Sequence, residues 1–138
     1  MQKKYYVVLD TNVLISGLLK IESYPGLVLK EILSENIILL INQEVLDEYT
    51  EVMSRPKFKF DKYMVYEFIE ILEQYIEYVN VKTIDIQFND EKDKVFYEIF
   101  KSYKLTNNVY LVTGNLKHFP KEDNIMGPKE FVENVIKS

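Results

Sequence analysis

Asp10 ends the run Tyr5-Tyr6-Val7-Val8-Leu9, where an apolar segment stops abruptly at an acid. A carboxylate directly after a buried strand is costly to desolvate unless it is hydrogen-bonded, paired or bound to a metal. Two more acids are placed to join it. Glu48 falls at the margin of the helical stripe Val45, Tyr49, Val52 and Met53. Asp93 stands three, four and seven positions before Phe96, Tyr97 and Phe100, so it heads the inward face of its helix. Thr113-Gly114-Asn115 repeats the opening pattern, with small polar residues after an apolar run. There Gly114 permits a close backbone approach, and Asn115 can offer a carbonyl oxygen or an amide. His118, the only histidine, lies just beyond. Each residue also has a plainer use. Asp10, Asp90 or Asp93 can cap a helix, Glu48 can snorkel at the edge of a buried face, and a loop histidine is more often a hydrogen-bonding residue than a ligand.

Two or three gathered carboxylates repel one another and need a cation. With oxygen donors, no cysteine and no second histidine, the expected ion is hard, Mg²⁺ or Mn²⁺. Such ions keep water ligands and bind substrate phosphates, which points to phosphodiester hydrolysis: a bound ion lowers the pKa of a water and stabilises the leaving 3′-oxygen. The residues alone lead as far as a metal–phosphate site.

The elements that must position these side chains follow from periodicity. Tyr5 to Leu9, Ile37 to Ile41 and Val109 to Val112 read as strands buried on both faces. Thr11 and Asn12 are N-cap types before a helix to Leu19, and Leu27 to Leu33 recurs at helical spacing, with Asn36 as its stop. Asn42 caps a helix that runs to about Ser54, with Glu44 in its first turn and Arg55-Pro56 as its end. Asp61 caps a long helix striped by Val65, Phe68, Ile69, Leu72, Tyr75 and Ile76. A short extended segment is expected within Tyr78 to Ile86, a helix from about Asp93 to Tyr103, a turn at Asn107-Asn108, a short strand at Asn124 to Met126, and a last helix from Pro128. Strands alternating with helices indicate a parallel sheet with helices on both faces, one α/β domain over residues 1–138. Asp10 and Thr113 then sit at carboxyl ends of central strands, where ligands bind in such sheets.

Composition narrows the setting without deciding the activity. The 138 residues suit one domain with a real core. The lack of cysteine excludes disulfides and suits a reducing cytoplasm, the expected location. No apolar run approaches the roughly 18 residues of a membrane helix, and no leader peptide is expected. A net charge of −5 argues against a broad duplex-gripping surface, yet metal-binding acids themselves contribute negative charge.

Val8-Leu9-Asp10-Thr11-Asn12-Val13-Leu14 resembles the opening motif of PIN domains, metal-dependent ribonucleases that include the VapC-like toxins of toxin–antitoxin systems. The resemblance continues through Glu44-Val45-Leu46-Asp47-Glu48-Tyr49, Val52-Met53-Ser54-Arg55-Pro56-Lys57-Phe58, Asp90-Glu91-Lys92-Asp93-Lys94-Val95-Phe96 and Leu111-Val112-Thr113-Gly114-Asn115. The Arg-Pro-Lys-Phe segment is most similar to a group of PIN-family toxins. The resemblance implies an α/β/α sandwich with a central parallel sheet and a site in which Asp10, Glu48 and Asp93 are the catalytic acids. Asn12 matches the polar residue beside the first acid, with Thr11, Thr113 and Gly114 in support. Many relatives carry an acid where this chain has Asn115. An Mg²⁺ or Mn²⁺ ion held by Asp10, Glu48, Asp93 and Asn115 is implied, with any second metal bound more weakly. An RNA substrate, an antitoxin covering the site and a homodimer are implied as partners, and Lys20, Lys57, Lys59, Lys94 and Lys117 are candidates for lining an RNA groove.

Two competing readings have specific features. A haloacid-dehalogenase-type phosphatase needs a second acid two residues after the first, where this chain has Asn12, and the acidic pair of a receiver domain is missing. A catalytically silent PIN-like binding module is favoured by Asn115. The retention of three mutually repelling acids counts against it.

Overall fold

The computed structural model describes residues 5–81, 84–104 and 107–137 of the chain. Its centre is β1 (Tyr5–Leu9), whose Val7, Val8 and Leu9 are fully buried. Parallel neighbours lie on both sides: β2 (Ile37–Ile41) and β4 (Val109–Val112). β3 (Ile76–Tyr78) extends the sheet beyond β2, and β5 (Ile125–Met126) extends it beyond β4. The order is β3-β2-β1-β4-β5, all parallel, as the alternation of strands and helices requires.

This order has a mechanical consequence. From β1 the chain moves outward through β2 and β3, then returns to the other side of β1 for β4 and β5. The connections diverge between β1 and β4, which leaves a crevice at the carboxyl ends of those two strands. Asp10 follows β1 and Thr113 follows β4, one on each side of the crevice.

The helices form an α/β/α sandwich. α1 (Thr11–Leu19) packs on α2 (Tyr24–Leu33), and α2 on α6 (Pro128–Phe131) with the wider turn Val132–Ile136 that follows it. α3 (Gln43–Met53) meets α1, α4 (Lys62–Leu72) and α5 (Glu91–Lys104), and α5 lies on β1 and β4. Asn42 and Asp61 cap as expected: their side chains accept from Val45 N and Met64 N, each over 2.9 Å. Tyr49 anchors α3 to the sheet, its buried hydroxyl donating to the carbonyl of Leu9 over 2.5 Å.

Several boundaries depart from the pattern. α2 begins at Tyr24, because Ser23 Oγ accepts from Gly26 N at 3.1 Å and Pro25 stands in the first turn, where a missing N–H costs nothing. Its left-handed exit residue is Glu35, at φ 63°, rather than Asn36. Ile76, which continues the α4 stripe in sequence, lies in β3 opposite Leu39, since α4 stops at Leu72 and a 3-10 turn (Glu73–Tyr75) redirects the chain. β3 therefore precedes most of the expected 78–86 segment, of which residues 82 and 83 lie outside the described residues. α5 begins at Glu91, two residues earlier than its apolar face indicates, because Asp90 Oδ1 accepts from Lys92 N at 2.9 Å. No helix among the described residues is long and apolar enough to cross a membrane.

Candidate active site

Asp10 is 5% exposed. It sits at the N-cap position of α1 yet makes no side-chain capping bond, so capping does not explain its burial. Its Oδ2 instead accepts a 2.7 Å hydrogen bond from Thr113 Oγ1. The direction of that bond is fixed from behind, because Asn115 N donates to Thr113 Oγ1 at 3.0 Å and leaves the hydroxyl hydrogen for Asp10. Burial pushes the Asp10 carboxyl above the usual aspartate range. The Thr113 hydroxyl, the nearby amides of Asn12 and Thr11, and His118 pull the other way without overcoming it.

Glu48 is half-buried on α3 and is held by Thr11, whose Oγ1 donates to Glu48 Oε2 over 2.7 Å. Asp47 and Glu51 on the same helix are exposed, as their positions on the stripe require. Asp93 is in the first turn of α5, with the cap supplied by Asp90. Burial pushes its carboxyl upward, the charge of Asp10 adds to this, and His118 opposes both. His118 Nδ1 lies 3.1 Å from Asp93 Oδ2. Burial and the charges of Asp10 and Glu48 together hold the Tyr49 phenol well above its ordinary value, so it remains a neutral donor beneath the site.

Asp10, Glu48 and Asp93 line one cleft of about 200 Å³, with Thr11, Asn12, Val52, Asp90, Arg55 and Lys92. A larger groove of about 700 Å³ lies between α3 and α4, lined by Leu46, Phe60, Val65 and Ile69 among others. Chemistry is assigned to the smaller cleft, because it alone holds a buried carboxylate at the carboxyl end of the central strand. Thr113 reaches the cleft through Asp10. Asn115 is not among the lining residues: it is exposed, and its contribution is the backbone amide given to Thr113. Gly114 is exposed, and a Cβ there would meet nothing within 4 Å, so the fold itself does not require glycine at that position.

A match to the PIN domain covers residues 6–117. The chain belongs to the PIN-domain family. Among curated proteins none matches the sequence significantly. PIN domains are typically nucleases, often metal-dependent, and that is the chemistry the cleft of this PIN domain has to be tested against.

The donor set has the right character for a hard cation, since every acid in the cleft offers oxygen and carboxylates outnumber cations by two to one. Yet among the described residues no three His, Cys, Asp or Glu side chains are close enough to ligate one ion together. An ion in the cleft of the PIN domain would therefore be held by one or two carboxylates at most, with water completing its shell.

Sequence reasoning missed the basic lining. None of Lys20, Lys57, Lys59, Lys94 and Lys117 lines the cleft, whereas Arg55 and Lys92 do. Arg55 is the residue just past the α3 cap and Lys92 lies in the first turn of α5, so each stands in or directly after an element that also supplies an acid. The signal was available in the short spacing of Arg55 from Glu48 and of Lys92 from Asp93.

Proposed function

We propose that this PIN domain is a metal-dependent endoribonuclease that hydrolyses RNA phosphodiester bonds with Mg²⁺ or Mn²⁺. The observation that carries the reading is Asp10. It is a buried carboxylate that the Thr113 hydroxyl and the nearby amides of Thr11 and Asn12 hold, and it opens onto a cleft shared with Glu48 and Asp93. Evolution tolerates the cost of such a group where it has work to do.

Of Asp10, Glu48 and Asp93, one or two would hold the ion directly and the rest through its waters, and the ion would supply a water of lowered pKa and charge stabilisation for the departing 3′-oxygen. The chain's own residues prepare the rest. Thr113 and Thr11 set the orientation of Asp10 and Glu48, so little reorganisation is needed when a cation arrives. Arg55 and Lys92 give the scissile phosphate an attractive wall in a cleft that is otherwise acidic. Asn12, at the rim, can hydrogen-bond a water or a ribose hydroxyl.

The Arg55-Pro56-Lys57-Phe58 segment further supports a role as the toxin of a toxin–antitoxin system, with an antitoxin protein and a second copy of the chain as partners. A cysteine-free chain suits the cytoplasm as the place of action. A second reading, a PIN fold that binds without cleaving, is favoured by the absence of a three-acid metal group among the described residues.

Purified protein incubated with mixed single-stranded RNA should cleave it with Mg²⁺ or Mn²⁺, and not with EDTA or as Asp10→Asn or Asp93→Asn. Cleavage that survives EDTA or both substitutions would come from elsewhere and would end the proposal. Absence of cleavage under every condition would favour the silent module. Toxicity on induction, relieved by the product of a neighbouring gene, would separate a toxin from a housekeeping nuclease.

A further inference from the structure

Two of the cleft acids are each held by one side-chain donor: Asp10 by Thr113 and Glu48 by Thr11. The third acid, Asp93, has His118. We infer that His118 is the positioning residue for Asp93, and that the loop after β4 serves the cleft through this imidazole rather than through the Asn115 side chain. The inference rests on the metal-nuclease reading above.

The loop is built to deliver that ring. From Asn115 the chain winds one 3-10 turn (Leu116–His118), closed by His118 N donating to Asn115 O at 2.9 Å. The turn brings the His118 side chain, three residues beyond Asn115, to Asp93 of α5. It is anchored immediately afterwards, because Phe119 is buried and meets Phe88 edge-on, with ring centroids 5.9 Å apart. Further along, Glu122 accepts from the Tyr97 hydroxyl and, over 2.9 Å, from Lys101, which ties the loop to α5 a second time. The imidazole thus stands on a segment fixed to the same helix that carries Asp93.

An ionised carboxylate only accepts, so in this contact Nδ1 carries the proton and a neutral ring leaves Nε2 as its acceptor. Holding Oδ2 limits the otherwise broad rotation of the Asp93 carboxylate and leaves Oδ1 free for a ligand. Such hydrogen-bonded partners of metal-ligating groups are worth about 10–100-fold in metal affinity or activity.

Because His118 is the only histidine, its ring nitrogens give unambiguous long-range ¹H–¹⁵N correlations. At a pH where the ring is neutral, the metal-free protein should show the Nδ1-protonated tautomer, and Asp93→Ala should lose that preference. Calorimetric titration with Mn²⁺ should then find His118→Ala about 10–100-fold weaker than the native protein. His118→Asn, whose amide can place a donor where Nδ1 was, should recover most of that loss. Circular dichroism and thermal unfolding check that each variant is folded. An Nε2-protonated ring, or a spectrum that Asp93→Ala leaves unchanged, overturns the contact. Native Mn²⁺ affinity in His118→Ala, or an equal defect in His118→Asn, overturns the positioning role. A native protein that binds no Mn²⁺ defeats the metal-nuclease reading. The tautomer still decides the contact in that case, and a contact found there is purely structural, which also overturns the positioning role.

Discussion

Thr11 Oγ1 donates to Glu48 Oε2 over 2.7 Å, across 37 residues of sequence. The bond joins the first residue of α1 to the middle of α3, and so couples the helix start beside Asp10 to the second acid. Thr11 is itself buried, whereas Glu48 is half-buried and open to water from the cleft.

That asymmetry separates function from stability in Thr11→Val. Water can replace the missing donor at Glu48, so the unfolding free energy should change by about 1 kcal/mol or less. Mn²⁺ affinity or RNA cleavage should fall about 10–100-fold, the cost of removing a group that orients a ligand. Urea unfolding set beside metal titration checks the split. A large stability loss with unchanged metal affinity would assign the threonine to the scaffold alone.

Asp10→Asn should have opposite effects on stability and activity. The folded protein holds the Asp10 carboxyl above its ordinary value of 3.8, chiefly through burial. Between that value and the folded one, the native state binds more protons than the unfolded state, so stability declines as pH rises through this window. Asp93 is shifted in the same direction and adds to the decline. At neutral pH in EDTA, Asp10→Asn should unfold at higher urea than the native protein, with the gap closing as pH falls below 3.8. Cleavage should fall by at least about 100-fold, the upper end of what removing an orienting group costs. A variant less stable than native at neutral pH would show that Thr113 and the neighbouring amides already outweigh the burial of the charge.

Metal should act as a stabilising ligand. An ion at 100 times its Kd adds about 2.7 kcal/mol by mass action, provided the unfolded chain does not bind it. The thermal midpoint should rise with Mg²⁺ or Mn²⁺ and return with EDTA. The rise should be larger at neutral pH than near pH 4, an acidity of about the Asp and Glu reference values, where protons compete with the ion for the carboxylates. An equal rise at both pH values would place the ion away from Asp10 and Asp93.

Arg55 and Lys92 should contribute affinity without sequence preference. Replacing either by Ala should weaken single-stranded RNA binding about equally across sequences, and should lower the magnitude of the salt slope by about 0.7 for each phosphate that is no longer neutralised. Filter binding or fluorescence anisotropy over a salt series measures this. Arg55 already pairs with Glu51 at 3.1 Å, so its substitution should cost less than that of Lys92. An unchanged slope would direct attention back to the surface lysines.

Local patterning determined a great deal of this protein. The apolar runs ending at Asp10 and Thr113, the caps Asn42 and Asp61, and the marginal position of Glu48 on its stripe are all set by neighbours within a turn or a strand, and the structure keeps them. The parallel sheet was legible for the same reason, since buried strands alternating with helices have few other ways to hide both faces. Tertiary structure alone decided what touches what. Ile76 fits the helical stripe of α4 as well as it fits a strand, and only the open edge of β2 settles it. The loop after β4 offers Asn115 and His118, and only the 3-10 turn with its anchor at Phe119 brings the imidazole to Asp93. Thr113 meets Asp10 across 103 residues because β4 returns beside β1. Short-range periodicity reports which face of an element is buried. The partner across the crevice depends on strand order and register, which a local pattern does not contain.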